Sequence, residues 1–490
     1  MCVTTHFIDE HWNLRKHIIS FSPITCHRRR EIGKEIENFL IDWGIEKLMS
    51  ITVDNASSND VAVTYLKDQL KNWRSTIANA KYIHVRCVAH IINLIVVEGL
   101  KEINTSVAKV RAVVRYVRHS PSRLQKFKDC VEAERIKSKG LLSLDVCTRW
   151  NSTYLMLETA QKFERAFKRY EDIDPYFKSE LVIEDEVDGI PDSNDWANVR
   201  LMVSVLAHFY KLTLKVSGSL YVTSNLLFHE VSAVYMILKQ WQNSHDENVA
   251  SMAERMMRKY TKYWGDVKKM NKMIYFAVVL DPRYKLEYVQ FYLAEMYDED
   301  VASSLSKDVE SSIFSLFDEY LRLHSAGQND NNSKNRPQMQ SLALADEDEV
   351  DHGKSSDMNV QMEGKFKRKK FGSGLSTTKT ELDRYLAEEQ EENQSGFDIL
   401  CWWKVNSHRF PILSQMARDI LAIPISTVAS ESAFSTGGRV LDAFRSSLTP
   451  PIVEALICCQ DWIRCASQQM SVEEDLENLE QIQTGKHYFI

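Results

Sequence analysis

Leu48-Met49-Ser50-Ile51-Thr52-Val53-Asp54-Asn55-Ala56 is a short apolar run that ends in a carboxylate, and its reading decides how the chain is organised. The β-branched residues Ile51, Thr52 and Val53 favour a strand, and the small polar residues after Asp54 end it. Open α/β sheets place their functional groups beyond the carboxyl ends of strands, which makes Asp54 a candidate for chemistry. Upstream, Cys2 to Ile8 and the stretch containing Lys16-His17-Ile18-Ile19-Ser20-Phe21 read as two adjacent strands. Arg28 to Trp43 carries Ile32, Ile36, Phe39 and Leu40 at helical spacing, with Gly44 as a stop. Ser57 or Ser58 is placed to cap a further helix. Strand, strand, helix, strand, helix marks an α/β layer.

Outward from that layer, helical spacing takes over at about residue 100. Val107, Val110, Val114 and Val117 form an apolar stripe, while Arg111, Arg115 and Arg118 gather on another face. Similar periodicity runs through Trp196 to Gln242 and Asn248 to Trp264. Beyond Ser325 the chain becomes rich in Asn, Ser, Gly, Asp and Lys, the composition of a disordered linker. The expected organisation is residues 1–100 as the first α/β part, 101–325 as a helical insertion, 326–380 as the linker, 381–467 as a second ordered region and 468–490 as an acidic polar tail.

A chain of 490 residues with 44% hydrophobic and 10% aromatic residues can bury large cores. The formal net charge of -7 supplies no global attraction to nucleic acid, so phosphate contacts have to come from local basic surface. Nine cysteines, an odd number with no signal peptide, fit reduced thiols in the cytosol or nucleus better than a disulfide framework. No apolar run approaches the roughly 20 residues that span a bilayer, so no membrane is expected as a partner.

Far downstream, Thr427-Val428-Ala429-Ser430-Glu431-Ser432-Ala433-Phe434-Ser435 follows Pro424 and reads as a helix with one carboxylate. Acidic groups from distant segments can converge on divalent metal, which in two-metal sites holds the attacking and leaving oxygens of a phosphodiester. Each also has an ordinary reading, Asp54 as a turn or cap residue and Glu431 as a solvated helix position. Cys87-Val88-Ala89-His90 has half the spacing of a zinc site, but no second ligand pair follows, so no structural zinc is expected. Arg149-Trp150-Asn151-Ser152 sets a guanidinium beside a large aromatic that either stacks on an unpaired base or packs in a core. Arg111, Arg115 and Arg118, with Arg123, Lys126 and Lys128, form a phosphate-contacting face or a solvated one. Lys365-Phe366-Lys367-Arg368-Lys369-Lys370 is a nuclear-import candidate. Thr449-Pro450-Pro451 starts a helix on which Ile452, Leu456, Cys459 and Ile463 share a face beside Trp462. With Trp402, Trp403, Phe410 and Leu413 these make more apolar surface than a short segment buries alone, so it packs on the α/β layer or on a second copy of the chain.

Taken in order, several segments resemble the transposases of the hAT superfamily, specifically the plant RICESLEEPER and DAYSLEEPER type with BED zinc fingers. They are Thr52-Val53-Asp54-Asn55-Ala56, Cys87-Val88-Ala89-His90 running into Ile91-Ile92-Asn93-Leu94, Arg149-Trp150-Asn151-Ser152, Leu280-Asp281-Pro282-Arg283-Tyr284-Lys285, and Ala429 to Ser435 with Trp402-Trp403 upstream. The resemblance implies an RNase H-like catalytic fold interrupted by a large all-helical insertion and completed by a C-terminal hAT dimerisation region. It also implies a site of two aspartates and one glutamate, in which Asp54 is the second aspartate and Glu431 the glutamate, with magnesium in the active members. Cys87 and His90 match a motif near that site, and Trp150 matches a tryptophan that stacks against a flipped base. The family's first strand, with its aspartate, and its BED finger are not found ahead of Cys2. Asp9, which follows the next strand, is a poor substitute.

The expected function is a transposase-derived nuclear protein that homodimerises through Ile452, Leu456, Trp462 and Ile463. It contacts DNA through Arg149, Trp150, Arg111, Arg115 and Arg118, and has no transposition chemistry and no cofactor. One alternative is an active transposase whose N-terminus lies upstream, with magnesium at Asp54 and Glu431. The other is a non-functional relic.

Overall fold

A computed structural model of the protein describes residues 1–23, 29–73, 77–138, 140–147, 149–181, 189–266, 270–333, 379–440 and 448–465. The opening region forms strands β1 (Cys2–Ile8) and β2 (Leu14–Phe21), helix α1 (Arg29–Asp42), strand β3 (Ile51–Val53), helix α2 (Ser57–Leu70) and strand β4 (His84–Arg86). β1 and β2 are an antiparallel hairpin, Cys2 opposite Phe21 and Ile8 opposite Leu14, with an irregularity between Val3 and Thr4. Its turn is organised by Asp9, whose carboxylate accepts the backbone N–H groups of His11 and Asn13 and the Arg15 guanidinium. Against the burial that would raise it, bonds from Asn13 and Arg15 hold the Asp9 carboxyl down to about 2. Asp9 is thus committed to the hairpin.

β3 and β4 are parallel, Ile51 opposite His84, and α2 belongs to the connection between them. Gly44, just past α1, has a φ of +61°, the left-handed stop that its position predicts. Neither Ser57 nor Ser58 caps α2: Ala56 holds the cap position, and the Asp54 carboxylate accepts its N–H at 2.8 Å. A short acidic side chain reaches the backbone two residues on, so the turn forms without a serine. Among the described residues the α/β layer consists of two separate two-stranded sheets.

From Val88 onward the chain is helical. α3 (Val88–Leu100), α4 (Asn104–Arg118), α5 (Pro121–Ala133), α6 (Trp150–Ala160), α7 (Glu164–Ile173), α8 (Pro175–Leu181), α9 (Ser193–Val216), α10 (Leu227–Gln242) and α11 (Glu247–Trp264) come first. The valine stripe of α4 is buried with Phe127, Phe163 and Phe177, while α3, α9, α10 and α11 share a neighbouring core. α12 (Met273–Val279), α13 (Lys285–Met296) and α14 (Glu299–Ser333) follow. They pack with α15 (Glu381–Ala387), α16 (Ile399–Asn406) and α17 (Pro411–Leu421) in a core that reaches Ile8, Trp12 and Val85 of the α/β layer. Trp403, Phe410 and Leu413 are buried in that core, within a single chain. α14 runs past the expected linker start at 326, whereas most of that linker, Lys365 to Lys370 and the tail at 468–490 lie outside the described residues.

The segment Leu280 to Lys285 knots this core together. Asp281 is fully buried, accepts Asn225 Nδ2 at 2.8 Å and takes two bonds from the Arg283 guanidinium at 2.9 and 2.7 Å. A buried carboxylate is tolerated when paired and hydrogen-bonded in this way. Lys285 Nζ donates to the carbonyls of Tyr385, Glu388 and Glu389, and Trp403 Nε1 donates to the Leu280 carbonyl at 2.9 Å.

The last helices, α18 (Val428–Val440) and α19 (Pro450–Cys465), return to the N-terminal hairpin. Glu454 accepts the Phe21 N–H and the Ser20 hydroxyl, Asp461 accepts the Ile18 N–H, and Trp462 Nε1 donates to the Ile18 carbonyl, each at 2.9 or 3.0 Å. Side chains of α19 thereby cover the outer edge of β2, which would otherwise present unpaired backbone groups. Among the described residues no helix is long and apolar enough to cross a membrane.

Candidate functional site

The ends of the parallel strands are tied to the start of α18 by the backbone of residues 424–427. The Thr52 hydroxyl donates to the Pro424 carbonyl at 2.5 Å, and the Val88 N–H donates to the Ile425 carbonyl at 2.9 Å. These bonds bring Glu431, in the first turn of α18, beside the end of β3. Asp54 and Glu431 consequently line one cavity of about 540 Å³, together with Asn59, Thr427 and Ser430.

Asp54 Oδ1 accepts the Ala56 N–H and Asn59 Nδ2, the latter at 2.7 Å. Glu431 Oε1 accepts the Thr427 hydroxyl at 2.8 Å. Thr427 Oγ1 also lies 3.2 Å from Cys87 Sγ. The Cys87 sulfur accepts from the Thr427 N–H at 3.4 Å and shares the single Thr427 hydroxyl proton with the Glu431 carboxylate. Burial pushes the Cys87 thiol up, offset in part by these bonds from Thr427. Cys87 therefore joins the start of α3 to the Glu431 helix. His90, one turn into α3, is half-buried.

Arg149, just before α6, belongs to the same neighbourhood. Burial lowers its guanidinium and the Glu431 charge opposes that shift. Trp150 beside it is 4% exposed and packs among α3, α9, α10 and α11, so in this conformation its ring is core and not open to a base. Arg111 is bonded through Nε and Nη2 to the Asp145 carboxylate at 2.8–2.9 Å. Arg115 Nη2 lies 3.3 Å from Cys147 Sγ, and Arg123 pairs with Glu180 while sitting over the Tyr116 ring. Arg115 and Arg118 are exposed, and none of Arg111, Arg115 and Arg118 lines the Asp54–Glu431 cavity.

Sequence reading missed Asp419, a further carboxylate of the same cavity. It accepts the Tyr320 hydroxyl at 2.6 Å, and burial raises its pKa against that bond. A single acid on amphipathic α17 carries no signal, because only the fold turns it inward. Among the described residues no group of three or more His, Cys, Asp or Glu is placed to hold a metal ion. Asp54 and Glu431 still keep one carboxylate oxygen each with no protein donor among the described residues. Such hard oxygens suit magnesium, which is held through one or two carboxylates and completed by water and phosphate.

The inner face of α19 buries Val453 and Ile457. Its outer face leaves Ile452, Leu456 and Ile463 exposed at 47%, 43% and 69%. Trp462 is half-exposed, its ring set against His17 and Trp43 of the same chain.

Comparison with known proteins adds four family matches. Residues 1–82 match the ZBED1 RNase-like domain, 85–205 the ZBED1 RNase-like helical domain, 225–320 the hAT-like transposase, RNase-H fold, and 381–463 the hAT family C-terminal dimerisation region. A putative AC transposase of Zea mays is 34% identical over 94% of this chain and 54% of its own. The zinc finger BED domain-containing protein RICESLEEPER 2 of Oryza sativa subsp. japonica is 34% identical over 94% of this chain and 62% of its own. DAYSLEEPER of Arabidopsis thaliana, also described as a zinc finger BED domain-containing protein, is 29% identical over 94% of this chain and 61% of its own. The chain thus spans between 54% and 62% of the length of these three relatives.

Proposed function

The chain belongs to the hAT superfamily, and from that premise we propose that it is a transposase-derived nuclear DNA-binding protein that homodimerises through its C-terminal region. The observation that carries this reading is the outer face of α19, where Ile452, Leu456 and Ile463 stand exposed within the stretch that matches the dimerisation region. Three large aliphatic residues on one helix face expose apolar area with no use in the monomer, and a two-fold interface would bury it twice. DNA binding and nuclear residence rest on the homology to transposases and BED-domain proteins. Sedimentation velocity over a dilution series, with a labelled DNA duplex present or absent, tests the reading. A dimer that shifts to a heavier species with DNA is expected; a monomer at all concentrations, indifferent to DNA, contradicts it.

A second reading is metal-dependent phosphodiester chemistry, favoured by the shared cavity of Asp54 and Glu431. Magnesium held by those two carboxylates would supply Lewis acidity to a phosphodiester. Arg149 would set its positive charge near Glu431. Magnesium-dependent nicking of supercoiled plasmid that disappears in Glu431→Gln supports this reading, and no nicking by the unsubstituted chain sinks it.

A further inference from the structure

On the other side of the β3 end, Asn55 opens on a different cavity. Asp54 lines the space toward Glu431, while Asn55 helps to line a pocket of about 600 Å³ between β4 and the helical wall of α11 and α12. Asn271 fixes that wall, its Nδ2 donating to the carbonyls of Tyr82 and His84 at 2.8 Å each.

The pocket is cationic. Lys81, Arg86, Lys262 and Lys272 line it against the single acid Asp60. Arg86 is spent on Asp60 at 3.0 Å and Lys272 on Asp308 at 2.6 Å. Lys81 and Lys262 have no carboxylate partner among the described residues; each ammonium sits near a ring, 5.2 Å from the Tyr82 centroid and 5.4 Å from that of Tyr263. Two buried nitrogens, Asn55 Nδ2 and His84 Nε2, have no hydrogen-bond partner among the described residues. Buried polar atoms of this kind ordinarily find one, and an unmet donor is destabilising. Asn55 Oδ1 already takes Arg86 at 3.3 Å, so the amide offers its N–H groups. Burial, with the Arg86 charge, lowers the His84 pKa and favours the neutral ring, which with its proton on Nε2 has one N–H to give.

We propose that this pocket binds a nucleotide. Its phosphate sits between Lys81 and Lys262 and takes the free N–H groups of Asn55 and His84, and its base lies on the half-buried Tyr263 ring. The shared chemistry is a phosphate beside an aromatic ring, supplied either by a DNA strand continuing past the Asp54 cavity or by a free nucleotide. The strand is the source that rests on the DNA-binding reading.

The test uses the full chain, a fluorescent 15-nucleotide single strand read by anisotropy, and a nucleoside monophosphate read by calorimetry. Lys81→Ala with Lys262→Ala touches only exposed side chains and leaves the fold in place. With a slope of about -0.7 in log K per single-strand phosphate neutralised, losing the one phosphate held between the two lysines reduces the salt slope by about 0.7, a loss of about 5-fold at 0.1 M salt. Arg118→Ala on the exposed face of α4 is the charge control and leaves monophosphate binding unchanged. A monophosphate that binds, and is lost in the double variant, while no strand binds, supports the pocket with a free nucleotide and removes the DNA reading. A strand bound equally well by the double variant and the unsubstituted chain overturns the pocket and leaves DNA binding standing. No binding of either probe overturns both.

Discussion

Arg111 distinguishes a DNA-contacting residue from a structural one, and Arg111→Ala puts a size on the difference. Its guanidinium holds Asp145 through Nε and Nη2 at 2.8–2.9 Å, and the carboxylate also accepts the Thr153 hydroxyl at 2.9 Å. The Asp145 side chain is 0% exposed and that of Arg111 16%, so neither charge is solvated. Removing one partner of a buried pair leaves an uncompensated charge and costs about 3–5 kcal/mol, several times the value of a surface ion pair. Arg111→Lys keeps the charge, loses the two-pronged geometry and should cost less. Arg111→Ala with Asp145→Ala should recover part of the loss, since no orphan carboxylate remains. Urea denaturation followed by far-ultraviolet circular dichroism reads all three. Exposed Arg118→Ala should stay within about 0.5 kcal/mol of the unsubstituted chain. An unchanged urea midpoint in Arg111→Ala, together with lost DNA affinity, would refute the structural assignment.

Leu456→Glu with Ile463→Glu should weaken self-association by about a hundredfold or more. Burying such side chains gives about 1.5–3 kcal/mol when complete, and a two-fold interface counts each change twice. Sedimentation mass against concentration reads the effect, and a curve identical to that of the unsubstituted chain rules out this face. Burial, with Lys16 adding, pushes the His6 imidazole down from 6.5 to about 3. The unfolded state therefore binds the proton better between those values, and stability falls as pH drops from about 6.5 toward 3. His6→Gln should flatten that part of the urea-midpoint profile, and an unaltered slope counts against the assignment. Trp403→Phe removes the indole donor to the Leu280 carbonyl and leaves a small void in a fully buried site. It should cost about 2–4 kcal/mol, visible as a lower melting temperature; an unchanged one contradicts that role.

Much of the architecture was legible in the linear order of residues. The Val107 stripe, the Gly44 stop and the strand before Asp54 follow from local periodicity and backbone preference, which depend only on neighbours in the chain. The pairing of Asp54 with Glu431 came from motif resemblance rather than from periodicity, because nothing local links residues so far apart. Trp150, Trp403 and the α4 arginines show the limit. Their side chains suit a core, an interface or a phosphate face equally well, and only the packing of other helices buries Trp150 and Trp403 and locks Arg111 onto Asp145. Asp419 gave no sequence signal at all, and neither did the two unmatched nitrogens of Asn55 and His84. The order of residues is enough to set which segments become strands and helices, and it carries the family motifs. Tertiary structure alone decided which charges are paired, which faces stay open and where the cavities lie, since those depend on contacts between residues far apart in the chain.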